Sequence, residues 1–101
     1  MNTKAIITDL LKQKPFLRDD DNRLCTHIWY KEIKVLGYDP DKTSSSDFLR
    51  MYASNKFTLA PTIKRVRAKL QEDNIFLRGK KYYIRKGKAQ EQWQTNLGYN
   101  V

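Results

Sequence analysis

Three prolines, at positions 15, 40 and 61, decide where helix can run in this chain. Proline lacks an amide proton and clashes with the turn before it, so a helical pattern must end ahead of it or begin with it in its first turn. Ahead of Pro15, Asn2 or Thr3 can cap a first helix whose apolar residues Ala5, Ile6, Leu10 and Leu11 share a stripe, ending near Lys14. From Leu24 the helical period resumes. Cys25, Ile28, Trp29, Ile33 and Leu36 fall on one face, Asn22 can cap it and Gly37 suits a left-handed stop, so a second helix is predicted over residues 22 to 36. Residues 38 to 46, with Pro40, read as a loop ending in capping hydroxyls. A short third helix follows with Phe48, Leu49 and Tyr52, closed by Asn55 and Lys56. Thr58 or Ala60 opens a fourth helix with Pro61 in its first turn. Its seam is Ile63, Val66 and Leu70, and Asp73 and Asn74 end it.

Beyond Asn74 the pattern changes period. Ile75 to Arg78 and Lys81 to Arg85 are β-prone runs on either side of Gly79-Lys80, which predicts a two-stranded hairpin of about residues 75 to 86 with Gly79 as its positive-φ turn residue. In such a hairpin Tyr82 and Tyr83 point to opposite faces, and Phe76 with one of the tyrosines must pack on the helices, because an isolated hairpin is marginal in water. The expected architecture is mainly α with a small β-hairpin: about four helices, the hairpin and a C-terminal helical tail. At 101 residues the chain suits one domain, assigned to 1–88, with 89–101 as a tail of weaker helical spacing containing Trp93. Trp29 is expected to anchor the core, and Trp93 to hold a partner or a second copy.

Charge is distributed unevenly. Residues 56 to 88 hold eleven basic and two acidic groups, against nine basic and eight acidic in residues 1 to 55, so nearly all of the net +9 falls in one third of the chain. A basic block beside a balanced segment is the footprint of a surface that meets polyanions. On a helical wheel Lys64, Arg65, Ala68 and Lys69 lie opposite Ile63, Val66 and Leu70. Arg67 and Gln71 lie at the border, where a long side chain covers the core with its stem and still reaches a phosphate. The hairpin adds Arg78, Lys80, Lys81 and Arg85.

Other chemistry is poorly provided for. Cys25 is the only cysteine and His27 the only histidine, which excludes an internal disulfide and a cysteine–histidine zinc site. Asp19-Asp20-Asp21 lacks the glycine and distal glutamate of a calcium loop and reads as a solvated loop ending in a helix cap. With no nucleophile–base pairing, an enzyme is not expected, nor a cofactor or metal. Short apolar runs without a leader predict neither a membrane span nor a signal peptide, and so a soluble, cytoplasmic protein.

The order helix, turn, cationic helix, basic hairpin resembles the winged helix-turn-helix DNA-binding family. That resemblance implies that the second helix of the pair enters the major groove and that the hairpin wing lies along a neighbouring groove or the backbone. Two stretches, Arg18-Asp-Asp-Asp-Asn-Arg-Leu24 with Ile28 and Trp29, and Thr62-Ile-Lys-Arg-Val-Arg-Ala-Lys-Leu-Gln-Glu72 with Leu77-Arg78-Gly79, resemble small winged-helix-like proteins of tailed phages and prophages. The likeness implies a phage or prophage source.

The leading expectation is therefore a non-enzymatic duplex-DNA-binding protein, a phage regulator or accessory factor. Its contacts would be Lys64, Arg65, Arg67 and Lys69 on the fourth helix and Arg78, Lys80, Lys81 and Arg85 on the wing, with Arg65 suited to grip a guanine. Two alternatives stand beside it: a phage accessory protein that binds a host or viral protein, such as a defence nuclease, and an RNA or single-strand binder using an exposed tyrosine. Monomer and homodimer are both open.

Overall fold

The computed structural model describes residues 2–86; the tail at 89–101, with Trp93, lies outside the described residues. The helices are α1 (Thr3–Gln13), α2 (Asp21–Val35), α3 (Ser45–Ala53), α4 (Ala60–Asp73) and α5, of which residues 80–86 are described. The first four helices lie close to their predicted bounds, with two changes at their starts: Asp20 rather than Asn22 caps α2, and α4 begins after Leu59 with no side-chain cap. Side chains of Asn2, Asp20 and Ser44 cap α1, α2 and α3 by accepting from the amides of Ala5, Arg23 and Asp47. Gly37, at φ +92, ends α2 in a Schellman turn, with Tyr38 N–H on the Ile33 carbonyl and Gly37 N–H on that of Lys34. Asn55, at φ 61, ends α3 in the same way through the Met51 and Tyr52 carbonyls.

Helices α1, α2 and α4 pack on one another. Their inward stripes meet in a core of Ile7, Leu10 and Leu11 from α1, Leu24, Cys25 and Ile28 from α2, and Ile63 and Leu70 from α4, closed by Leu17 and Leu77. Leu17 sits in the 3-10 turn Pro15–Asp19 and Leu77 in the 3-10 turn Ile75–Leu77. Helix α3 stands outside this core and buries no residue fully. Aromatic contact docks it instead: Trp29 lies 5.5 Å from both Phe48 and Tyr52, and Phe48 stacks on Phe57 at 5.3 Å. Trp29 is half-buried at the margin of the core, and its indole N–H donates to the Thr58 carbonyl at 2.7 Å. Glu32 accepts from the Thr58 amide and hydroxyl, so α2 clamps the chain just before α4.

The predicted hairpin is overturned. No strand occurs among the described residues, and the segment read as a wing is a 3-10 turn followed by α5. Three contacts explain the reversal. Asn74 ends α4 and turns its side chain onto the Phe76 amide at 3.0 Å, which tightens Ile75–Leu77 into a 3-10 turn. Arg78 donates to the Gln71 and Glu72 carbonyls at 2.6 and 2.8 Å, folding the chain back over the end of α4. Asp19, 62 residues away, then accepts from the Lys81 amide at 2.8 Å and starts α5. A cap borrowed from a distant segment outweighs the local β preference of Lys81-Tyr82-Tyr83-Ile84-Arg85.

Related expectations fall with the hairpin. Gly79 is not a positive-φ turn residue; among the described residues Gly37 alone has that conformation for glycine. Its reason is close approach, because a Cβ at Gly79 would meet the Asp19 carboxylate, with Cγ at 2.6 Å. Phe76 does not reach the core and is 82% exposed, while its neighbour Leu77 is buried. Tyr82 and Tyr83 stand on adjacent positions of a helix, edge to face at 5.2 Å, rather than on opposite faces of a sheet.

Polar groups enter the core at one place. Arg67 and Gln71, one turn apart on α4, are both buried. Arg67 grips Asp21 of α2 with both arms of its guanidinium, Nε to Oδ1 and Nη2 to Oδ2 at 2.9 Å each, and its Nη1 donates to Gln71 Oε1 at 3.2 Å. The Gln71 amide nitrogen donates to the carbonyls of Arg18 and Leu77. No buried side-chain nitrogen or oxygen among the described residues lacks a partner.

Removing one partner of such a pair strands a charge in the interior, which costs about 3–5 kcal/mol, against total stabilities of about 5–15 kcal/mol for small domains. Asp21→Ala is accordingly expected to lose about 3 kcal/mol in urea unfolding; a loss below about 1 kcal/mol would show that the pair is loosely held. Asp19→Ala is expected to lose about 1 kcal/mol as a lost cap. Gly79→Ala should cost stability in the wild-type background and much less in Asp19→Ala, because both changes act through the same carboxylate. Equal costs in the two backgrounds would disprove the close approach.

Candidate nucleic-acid interface

The amphipathic pattern of α4 puts its cations where the wheel places them, with one exception. Lys64, Arg65 and Lys69 are exposed, as is Ala68 between them. Arg67 is 7% exposed and its guanidinium is committed to Asp21 and Gln71, so its border position is resolved inward. Arg78 is also committed: it caps the α4 carbonyls and lies 4.4 Å over the Tyr82 ring. Of the eight residues expected to bind nucleic acid, the structure thus leaves six, Lys64, Arg65, Lys69, Lys80, Lys81 and Arg85, exposed to solvent.

Helix α5 arranges the remaining cations in a way a hairpin would not. Four-residue spacing puts Lys81 and Arg85 in one column and Tyr82 and Lys86 in the next. Tyr82, Arg85 and Lys86 face Ala68 and Glu72 of α4 across a shallow groove that Arg67 also lines. The small Ala68 side chain keeps the groove open. Lys64, one turn before Ala68, and Arg65 stand on the α4 side of the same surface. Neither Lys86 nor the groove is among the expectations from sequence, which place Lys81 to Arg85 in a strand. The four-residue recurrence of Lys81 with Arg85 was the available signal.

Glu72 lines the groove itself, and close ion pairs on this face are few. Lys69 is 3.4 Å from Asp73, an exposed pair of the kind that contributes about 0–1 kcal/mol. Among the described residues no carboxylate lies within 4.0 Å of Lys64, Arg65, Lys80, Lys81, Arg85 or Lys86. Lys80 and Lys81 also occupy the first turn of α5, where cations oppose the helix dipole. The Asp19 carboxylate at that helix end offsets part of this cost.

Among the described residues no cluster of three or more histidine, cysteine or acidic side chains could hold a metal ion. Burial pushes the Cys25 thiol pKa up, and the Asp21 carboxylate adds to the shift, which leaves less of the reactive thiolate. No helix there is long and apolar enough to cross a membrane. Comparison of the chain with protein families, with curated proteins and with solved structures returns no match. What the fold and the surface define together is an all-helical domain, over its described residues, with a cationic face built from α4 and α5.

The Cys25 environment makes a simple test of the packing. A thiol-specific disulfide reagent at mildly alkaline pH should modify Cys25 slowly in the native protein and rapidly in denaturant. Equal rates would contradict its burial between α2 and the core.

Proposed function

We propose that this protein is a non-enzymatic nucleic-acid-binding protein that docks duplex DNA against the outward faces of α4 and α5. The reading is carried by one observation: seven exposed cations on two adjoining helices, of which only Lys69 has a carboxylate partner among the described residues. The wing docking implied by the family resemblance has no counterpart in this geometry and is not part of the proposal. In its place, α4 presents Lys64, Arg65 and Lys69 as the exposed side of a helix of the dimensions that a major groove admits. Helix α5 supplies Lys81, Arg85 and Lys86 from the other side of the groove to the sugar–phosphate backbone.

Lysine-rich surfaces of this kind bind phosphate more than base, so affinity should fall steeply with salt and vary modestly with sequence. Arg65 carries the proposed base contact, since a free guanidinium can engage guanine bidentately. A duplex is favoured over a single strand because the groove-side aromatic, Tyr82, already has Arg78 over its ring at 4.4 Å and Lys86 at 5.8 Å, which leaves less of it for stacking bases.

The test is a salt titration of binding to a short duplex. Lys64→Ala with Arg65→Ala should flatten the log K against log salt slope by about one unit, for the lost Lys64 phosphate contact, and relax any preference for guanine, while Lys81→Ala with Arg85→Ala should flatten it by about two. Arg67→Met, which removes a buried charge, should lower stability and leave that slope unchanged. Slopes unaltered in both double variants, or duplex affinity equal to that for a neutral polymer, would reject the proposal.

A further inference from the structure

We propose that the cleft between α1 and α2, remote in sequence from the basic block, binds a phosphate monoester of about mononucleotide size. The cleft has a volume of about 440 Å³, within the usual range for small-ligand sites and far larger than one phosphate needs. Its cations come from both helices' side of the fold: Lys14 just after α1, and Lys31 and Lys34 on α2. No acidic residue lines it. Among the described residues none of the three lysines has a carboxylate within 4.0 Å; Asp41, bonded to the Tyr30 hydroxyl, is the acidic group that stands at the cleft's edge.

The rest of the lining fits the body of such a ligand. The Tyr30 and His27 rings line the cleft, whose floor closes on the buried core residue Leu10. Both rings are held. The Tyr30 hydroxyl donates to Asp41 at 3.2 Å, with Lys34 Nζ 4.6 Å from its ring centre. His27 Nδ1 lies 2.8 Å from the Arg23 carbonyl, which can only accept, so Nδ1 carries the proton and Nε2 is left as the second polar atom of the ring. Gln13 adds an exposed amide. Lysines able to hold a phosphate, beside an aromatic lining, match a phosphorylated organic molecule better than either a bare anion or a neutral ring.

This site is independent of the α4–α5 surface, and its test keeps the two apart. Amide chemical shifts of the full chain are followed during titration with a nucleoside monophosphate, with the parent nucleoside and with inorganic phosphate. The monophosphate is expected to shift Lys14, His27, Tyr30 and Lys31 saturably, and to bind at least about tenfold more tightly than either fragment. Lys31→Ala with Lys34→Ala should weaken it about tenfold or more, since each lost charge-assisted hydrogen bond is a large share of a small ligand's binding. Lys64→Ala with Arg65→Ala should leave it unchanged. The proposal is overturned by the absence of saturable shifts at millimolar ligand, by nucleoside or phosphate binding as well as the ester, or by loss of binding in the Lys64/Arg65 variant alone.

Discussion

The two-armed contact between Arg67 and Asp21 sets the frame on which the rest of the molecule hangs. It crosses from α4 to α2 at the edge of the apolar core, with both bonds at 2.9 Å, and it passes directly into Gln71, which holds the carbonyls of Arg18 and Leu77. One connected set of side chains therefore ties α2, α4, the turn after α1 and the turn before α5. Charge burial is normally unfavourable, and a hydrophobic replacement of the whole set would pack as well or better. A guanidinium fork accepts a carboxylate in one planar geometry, and here that geometry joins α4 to α2.

The run Asp19-Asp20-Asp21 shows how densely this junction is used. Asp20 caps α2 through the Arg23 amide, Asp21 pairs with Arg67, and Asp19 caps α5 through the Lys81 amide. Three neighbouring carboxylates thus act on α2, α4 and α5. The consequence reaches the cationic surface, because Asp19 holds the first turn of α5, the helix that sets Lys81 and Arg85 in one column. A cationic face is maintained at a helix N-terminus, where the dipole opposes it, by an anion supplied from elsewhere in the chain.

Helix positions were legible in the sequence because their causes are local. Pro15, Pro40 and Pro61, the caps at Asn2 and Ser44, and the stops at Gly37 and Asn55 act within a few residues, and the structure bears out those elements to within one or two positions. The end of the described chain was misread because its cause is not local. Lys81-Tyr82-Tyr83-Ile84-Arg85 has β-prone composition and a glycine at the right distance for a hairpin, and nothing in that stretch announces a cap 62 residues upstream. Arg67 failed for a related reason. Its wheel position is a border, and only the Asp21 carboxylate across the helix interface decides that it turns inward. Lys64, Arg65 and Lys69, which depend on helical period alone, lie exposed as the pattern required.

The account turns on whether residues 80–86 are a helix started by Asp19, since that determines which cations share a face. Backbone chemical shifts of the full-length protein decide it. Helical Cα shifts across residues 80–86, lost or strongly reduced in Asp19→Ala while those of α4 persist, are the predicted result. Extended-chain shifts at residues 81–85 with cross-strand contacts to residues 75–78 would contradict the account and restore a hairpin in place of α5.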